Sequence, residues 1–190
     1  MKTLIITRRQ ILIFAASFTV ILMSVITVLG NSGVRGAFNP NKKVPIYQVQ
    51  RPEEEAEKLI SISFDAAWGD EQTDALLEAM AKYNVRSTFF LVGQWVDHYP
   101  ESVAKIYEYG HEVMNHSATH PYMSKLSKPD MLNEIRVCND KIEAITGVRP
   151  SLFRPPYGDY SDALIEVLGD EKMYCIQWDI DTFDIKMRFS

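Results

Sequence analysis

Two histidines in the segment HSATH, His116 and His120, have a spacing that suits a shared metal ion. If the segment is helical, both imidazoles lie on one face, one turn apart. They are two of only 4 histidines, and they follow a predicted strand. The residue directly after His116 is not a glutamate, which argues against a zincin peptidase with its HExxH motif. The pattern predicts a divalent-metal site, with a pair of surface histidines as the alternative.

A carboxylate and a guanidinium are candidates for acid–base chemistry. Asp65, in SFDAAWGD, comes at the end of a predicted apolar strand. A carboxylate there is costly unless it is paired or catalytic, although a helix cap or a structural salt bridge would also explain it. Arg154, in RPPYG, is the natural partner, because a guanidinium can orient a carboxylate and keep it ionised.

Other polar and aromatic residues supply further candidates. Two prolines stiffen the turn at Tyr157, whose backbone N–H would then point in a fixed direction, as an oxyanion site requires; an ordinary turn is the alternative. Aspartates that would bind metal or form a solvated loop follow the last predicted strand: Asp179, Asp181 and Asp184. The tryptophans would stack on a sugar or pack in the core: Trp68, Trp95 and Trp178.

Alternating strands and helices must position these residues. Apolar periodicity predicts strands at 59–64, 88–92, 112–115, 152–153 and 174–178, and helices at 73–83, 100–109, 127–146 and 161–168. This repeated βα pattern predicts a parallel α/β fold, in which active-site groups lie at the C-terminal ends of the strands. Asp65, His116, Arg154 and Asp179 all come at such ends.

The two cysteines are predicted to be buried free thiols. Cys138 falls on the apolar face of the clearest helix, 127–146, which begins at a capping box of Ser127 and Asp130 and ends at Gly147. Cys175 falls in a predicted strand. A disulfide between them is the alternative in an oxidising compartment.

Composition and charge exclude several classes of protein. The chain has 190 residues, 46% hydrophobic and 24% charged, which is typical of one globular domain. The net charge is −5, but residues 1–36 hold four basic residues and no acid, which leaves −9 on the remainder. An acidic body of this kind is a poor partner for nucleic acid.

The first 30 residues are predicted to be a targeting segment. Residues 11–29 carry no charge and are long enough to cross a bilayer, and Arg8 and Arg9 come just before them. The positive-inside rule places the N-terminus in the cytoplasm and the body outside. We favour an uncleaved signal anchor in the cell membrane; a cleaved signal peptide, and so a secreted protein, is the alternative. Residues 31–57 are predicted to be a linker, and the globular domain to cover 58–190.

Five segments, read in order, resemble the polysaccharide deacetylases, carbohydrate esterase family 4: SFDAAWGD, TFFLVGQW, GHEVMNHSATHP, LFRPPYGDY and QWDIDTFD. The first motif is similar to that of a branch found in spore-forming bacteria. The resemblance implies a distorted (β/α) barrel that removes acetyl groups from peptidoglycan or chitin-like polymers with a divalent metal, often zinc. The carbohydrate polymer is then the expected partner.

The resemblance also implies roles for individual residues. Asp65 matches the catalytic base, which removes a proton from water, and His116 and His120 match the two histidine ligands of the metal. Arg154 matches the arginine that orients the base. Two further matches are Tyr157, whose backbone N–H stabilises the oxyanion, and Asp184, the acid of the fourth motif.

Three departures from the family pattern weaken the expectation of activity. Ala66 stands where a second aspartate is the usual third metal ligand, and Asp70 is a weak substitute. Ile185 replaces a tryptophan, and no histidine follows His120 to act as general acid. We therefore expect a C-terminally incomplete barrel that lacks its last βα units. A truncated or inactive protein that at most binds carbohydrate is the alternative to an active deacetylase.

Overall fold

The computed structural model describes residues 42–49 and 59–182 of the chain. All of these except Lys42 belong to one compact unit. The predicted anchor at 11–29 and the candidate Asp184 lie outside the described residues. Within the described ranges, no helix is both long enough and apolar enough to cross a membrane.

Five parallel strands form a sheet in the order β1-β2-β3-β4-β5. The strands are β1 (Ser63–Ala66), β2 (Thr88–Leu91), β3 (Glu112–Asn115), β4 (Leu152–Phe153) and β5 (Tyr174–Cys175). Sequential order with parallel pairing confirms the α/β prediction, since parallel neighbours need crossover connections. It also brings the C-terminal ends of all five strands to one edge of the sheet.

Five helices connect or follow these strands: α1 (Thr73–Lys82), α2 (Gly93–His98), α3 (Pro100–Glu108), α4 (Lys128–Thr146) and α5 (Asp162–Asp170). The caps of α4 are those predicted: the Ser127 hydroxyl accepts a hydrogen bond from the Asp130 N–H, and Gly147 ends the helix with φ 70°. Glycine suits that position because left-handed backbone costs it nothing. Short 3-10 turns lie at Met123–Lys125 and Pro156–Gly158.

Two apolar clusters form the core. The first cluster joins strands β1 to β3 to helices α1 to α3, and the second joins β4, β5 and α5. Helix α4 contributes to both clusters, with Cys138 in the first and Ile135 in the second. Both cysteines are buried free thiols, as predicted, and burial raises the pKa of each to about 12. The core therefore fixes the sheet on which the polar strand ends are carried.

The observed elements differ from those predicted at several points. β1 begins at Ser63 rather than at residue 59, because its partner β2 begins only at Thr88. Helix α5 continues through Gly169, which was predicted to stop it, to Asp170. The short helix α2 was not predicted, because its six residues are too few to show apolar periodicity.

Part of the segment predicted to be a linker pairs with the sheet. The Ile46 N–H donates to the Cys175 carbonyl at 2.8 Å, and the Ile46 carbonyl accepts from the Gln177 N–H at 2.8 Å. Lys43 also forms an ion pair with Glu166 on α5, at 3.0 Å. Ile46 thus forms an isolated parallel bridge with Ile176, next to β5, and residues 50–58 lie outside the described part of the chain.

A buried histidine remote from the predicted site makes stability depend on pH. His111 is 4% exposed, its Nδ1 accepts a hydrogen bond from the Ser87 N–H at 3.2 Å, and burial followed by the Arg86 charge lowers its pKa. Because the unfolded chain binds that proton more readily, His111 should reduce stability as the pH falls below about 6.5.

We expect His111→Asn to weaken the pH dependence of stability, because asparagine accepts a hydrogen bond without titrating. The measurement is the free energy of unfolding in urea, taken between about pH 7.5 and about pH 5. His98→Asn, at an exposed histidine, is the matched control. An unchanged pH dependence in His111→Asn would contradict the assignment.

Candidate active site

Strand β1 carries Asp65, the first residue of the candidate site. Side chains alternate along a strand, so Ser63 and Asp65 share one face while Phe64 and Ala66 share the other. Phe64 and Ala66 pack against the first apolar cluster. The position at which the family resemblance implies a third metal ligand is therefore occupied by an apolar core contact.

Arg154, directly after β4, forms an ion pair with Asp65. Its Nη1 donates to Asp65 Oδ1 at 2.7 Å, and its Nη2 donates to Ser63 Oγ at 2.8 Å. The guanidinium carbon lies 4.1 Å from the centroid of the Phe90 ring. Arg154 is 5% exposed, so one buried cation holds the Asp65 carboxylate in a single orientation.

His116 follows β3 and faces the same carboxylate. Its Nδ1 lies 2.7 Å from the Arg154 carbonyl oxygen, which makes Nδ1 the donor and leaves the lone pair on Nε2. That Nε2 lies 3.8 Å from Asp65 Oδ2. Burial lowers the pKa of His116, so the ring is a neutral nitrogen donor at neutral pH.

His120 lies beside His116, with the two ring centroids 5.0 Å apart. Burial, followed by the neighbouring His116, lowers the pKa of His120 to about 4. Its Nδ1 is buried and has no hydrogen-bond partner among the described residues. The pair therefore offers two neutral imidazoles, one of them with an unsatisfied nitrogen.

The helical geometry expected for HSATH is wrong, although the two rings do meet. Residues 116–120 form a loop in which Ser117 has φ 71° and His120 has φ 62°. Left-handed backbone at residues other than glycine costs about 1–3 kcal/mol each, so the surrounding contacts must hold the loop. The rings approach because the chain turns sharply.

Tyr157 is placed at the site by a tight turn. Its backbone has φ 58° and ψ 10°. The turn is closed by hydrogen bonds from the Gly158 and Asp159 N–H groups to the carbonyls of Pro155 and Pro156, so the Tyr157 N–H takes no part in those bonds. The Tyr157 ring lies edge-on to His120 at 4.6 Å and stacks on Tyr122 at 4.3 Å. The structure thus brings Tyr157 next to the histidine pair.

The remaining candidates lie elsewhere or outside the described residues. Asp179 and Asp181 are exposed, and Asp184 is not among the described residues. Asp70 accepts a hydrogen bond from Ser102 at 2.8 Å, beside α3. Among the tryptophans, Trp95 is buried in the core, whereas Trp68 is 68% exposed with its ring 5.5 Å from that of His120.

Two polar residues at the site were not predicted. Ser63 supplies the second acceptor for Arg154, and its place two residues before Asp65 on the same strand face is a signal that sequence could have given. Gln177 donates through Nε2 to the Gly158 carbonyl at 2.9 Å and so supports the Tyr157 turn. Gln177 lies within the strand predicted at 174–178, but the observed β5 ends at Cys175, and no sequence pattern indicates its contact with Gly158.

The donor set fits a divalent metal through two ligands. Neutral imidazoles suit zinc, and the Nδ1 hydrogen bond of His116 is the usual outer support of a ligating histidine. Within residues 42–49 and 59–182, however, no group of three or more His, Cys, Asp or Glu side chains converges to hold a metal. A cation bound by His116 and His120 would need water or substrate for its other positions.

Comparison with known proteins decides the family. The family model described as polysaccharide deacetylase matches residues 53–176, which include Asp65, His116, His120 and Arg154. The chain belongs to the polysaccharide deacetylase family. The predicted family and fold class are confirmed, and members of this family generally depend on a divalent metal.

Among curated relatives, the chain is 36% identical over 169 residues to the peptidoglycan-N-acetylmuramic acid deacetylase PdaC of Bacillus subtilis, covering 85% of this chain and 36% of that protein. It is 29% identical over 154 residues to a peptidoglycan-N-acetylglucosamine deacetylase of Bacillus cereus, covering 80% of this chain and 55% of that protein. The chain thus spans about half or less of the length of these relatives.

Solved structures show both active and inactive relatives. BA3943 of Bacillus anthracis, described as a CE4 family pseudoenzyme, superposes with a TM-score of 0.71 at 35% identity, covering 76% of this chain and 50% of that one. A mutant of BA3943 described as having restored enzymatic activity superposes equally well, at 0.71 and 36% identity. PdaC of Bacillus subtilis superposes at 0.62 with 36% identity, covering 80% and 66%.

Proposed function

We propose that this protein hydrolyses acetyl groups of an N-acetylated cell-wall polysaccharide, of the peptidoglycan or chitin-like class. The observation that carries the proposal is the Asp65 carboxylate held by buried Arg154 at 2.7 Å, facing the imidazole of His116. The peptidoglycan deacetylases among its relatives support the substrate class.

The residues divide the reaction between them. Asp65 accepts a proton from the water that attacks the acetyl carbonyl and returns it to the leaving nitrogen as the C–N bond breaks, and Arg154 holds the Asp65 carboxylate in one orientation. The Tyr157 N–H donates to the oxyanion that develops on the carbonyl oxygen. A divalent cation such as zinc, when held by His116 and His120, supplies Lewis acidity that polarises the carbonyl and acidifies water. The products are acetate and the free amine of the sugar.

The test is acetate release from N-acetylated chitooligosaccharide and from peptidoglycan by the full chain. We expect release in the presence of Zn²⁺ or Co²⁺ and its loss on addition of a chelator, because only two protein ligands hold the cation. Release that a chelator leaves unchanged would contradict the metal requirement. Absence of release under every metal condition would contradict the proposed activity.

A second candidate function is carbohydrate binding without turnover. It is favoured by Ala66, which packs in the core where the family pattern has a ligand, and by the pseudoenzyme among the structural relatives. It is identified by saccharide binding that persists with a chelator and in Asp65→Asn, while no acetate is released. Binding that disappears on metal removal would exclude this candidate.

We also propose that the domain works outside the cytoplasmic membrane, on cell-wall or spore-wall polymer. The uncharged residues 11–29, preceded by Arg8 and Arg9, support a single-pass anchor with the body outside. The test is digestion of the domain by external protease in intact spheroplasts, with a cytoplasmic protein as the control. Protection of the domain would contradict this orientation.

A further inference from the structure

The loop that carries the two histidines is held in an unfavourable backbone conformation. Ser117 has φ 71° and His120 has φ 62°, and neither is glycine. Because L-residues adopt such angles only when their surroundings fix them, the contacts of this loop decide whether the two imidazoles stay together.

Helix α2 donates hydrogen bonds to two carbonyl groups of the loop. The Gly93 N–H donates to the Ser117 carbonyl at 2.9 Å, and the Gln94 N–H donates to the Ala118 carbonyl at 3.0 Å. The loop comes so close to α2 that a Cβ at Gly93 would lie 3.1 Å from the Ala118 Cα. These bonds satisfy loop acceptors and leave the loop donors for another partner.

Glu134, on α4, is that partner for the centre of the loop. Its Oε2 accepts from the N–H groups of Ala118 and Thr119 at 2.9 and 2.8 Å, and its Oε1 accepts from the Thr119 hydroxyl at 2.8 Å. One carboxylate therefore takes three donors from the two residues midway between His116 and His120. Hydrogen bonds to an ionised acceptor are about twice as strong as neutral ones.

The ends of the loop have their own supports. The Asn115 side chain accepts from the Ser117 N–H at 2.7 Å and donates to Asn139 on α4 at 2.7 Å. The Ser117 hydroxyl accepts from the His120 N–H at 3.0 Å. Neither the Asn115 side chain nor the Ser117 hydroxyl accepts a hydrogen bond from the N–H groups of Ala118 or Thr119. Among the described residues, Glu134 is therefore the acceptor for both of these N–H groups.

We propose that Glu134 is a positioning residue that holds His116 and His120 together as a ligand pair. It acts through the backbone of the intervening loop and touches neither imidazole. Its effect on metal binding rests on the proposed function, whereas its effect on the distance between the two rings does not. Removal of Glu134 should let the loop leave its left-handed angles and separate the rings.

The experiment compares the full chain with Glu134→Ala, which removes all three acceptor contacts, and with Thr119→Val, which removes one of the three bonds. The matched control is Glu143→Ala on the same helix, where Glu143 pairs with exposed Arg149 at 2.7 Å. The first readout is the nuclear Overhauser effect between the two histidine rings in metal-free protein. The second is Co²⁺ affinity by calorimetry.

We expect Glu134→Ala to lose the inter-ring signal and to bind Co²⁺ about 10–100-fold more weakly, the usual effect of removing an outer-shell support. Thr119→Val should weaken binding by a smaller factor, and Glu143→Ala should match the unmodified protein. An inter-ring signal and a Co²⁺ affinity that survive in Glu134→Ala would overturn the proposal.

Two other outcomes remain informative. If the unmodified chain binds no Co²⁺, the metal part of the proposed function fails, and the inter-ring signal alone then decides the role of Glu134. If Glu134→Ala does not fold, Thr119→Val decides: a weakened signal and affinity support the proposal, and unchanged values overturn it.

Discussion

Arg154→Met is expected to lower the free energy of unfolding by about 3 kcal/mol and to abolish acetate release. The guanidinium is buried and donates to Asp65, Ser63 and, at 3.5 Å, to the Gln177 carbonyl. Methionine fills similar space over Phe90 but leaves those acceptors without a donor. The figure lies at the low end for a broken buried pair, because the Asp65 side chain is 35% exposed and water can solvate it.

Urea unfolding followed by far-UV circular dichroism measures the stability loss. Arg136→Met is the control, since Arg136 also binds a carboxylate through two nitrogens, at 3.1 and 2.7 Å on Glu171, but lies on the surface. We expect that control to lose much less stability than Arg154→Met, because solvent screens an exposed ion pair. Equal losses in the two variants would show that burial of Arg154 has no special importance.

Arg154→Lys separates charge from geometry. Lysine keeps the positive charge beside Asp65 but cannot donate to Asp65 and Ser63 in the fixed directions of the guanidinium fork. We expect a stability between those of Arg154→Met and the unmodified protein. A lysine variant as stable and active as the unmodified protein would mean that charge alone suffices.

The sequence predicted which residues meet at the site better than it predicted the local geometry of those residues. Asp65, His116 and Arg154 were predicted to meet because each comes at the end of a strand in a parallel sheet, and that follows from the alternation of elements alone. The contacts themselves depend on the register of neighbouring strands. Asp65 pairs in register with Phe90, which explains why the Arg154 guanidinium lies over that ring.

The histidine loop could not be predicted from its sequence. The HxxxH spacing indicates a helix, but Ser117 and His120 adopt left-handed angles that neither residue type favours by itself. Glu134, Asn115 and the tight approach at Gly93 impose those angles from other parts of the chain. A pattern-based prediction sees spacing along the chain, whereas this geometry depends on contacts between distant segments.

The Ala66 position illustrates a different limit. Sequence comparison with the family pattern marks Ala66 as a missing ligand, but only the structure shows that its side chain packs with Phe64 against the first apolar cluster. The chain therefore does not merely lack a carboxylate beside Asp65. In the proposed function the cation would be held by two imidazoles, so their orientation by Arg154 and by the loop becomes more important.

Asp65→Asn should reduce acetate release by about 10²–10⁴-fold while leaving the fold intact, because an amide cannot take a proton from water. Its oxygen can still accept a hydrogen bond from Arg154, so the free energy of unfolding should fall less than in Arg154→Met. The two variants thus distinguish the chemical role of the carboxylate from its structural role.

The control for Asp65→Asn is Asp74→Asn, at an exposed aspartate on α1 that pairs with Lys105 at 2.6 Å. Acetate release and urea unfolding are measured on all three variants in parallel. If Asp65→Asn keeps full activity, another group must be the base, and His116 at 3.8 Å from Asp65 is the adjacent candidate. If activity falls while Asp74→Asn is unaffected, the carboxylate that Arg154 orients at 2.7 Å is the group that the reaction requires.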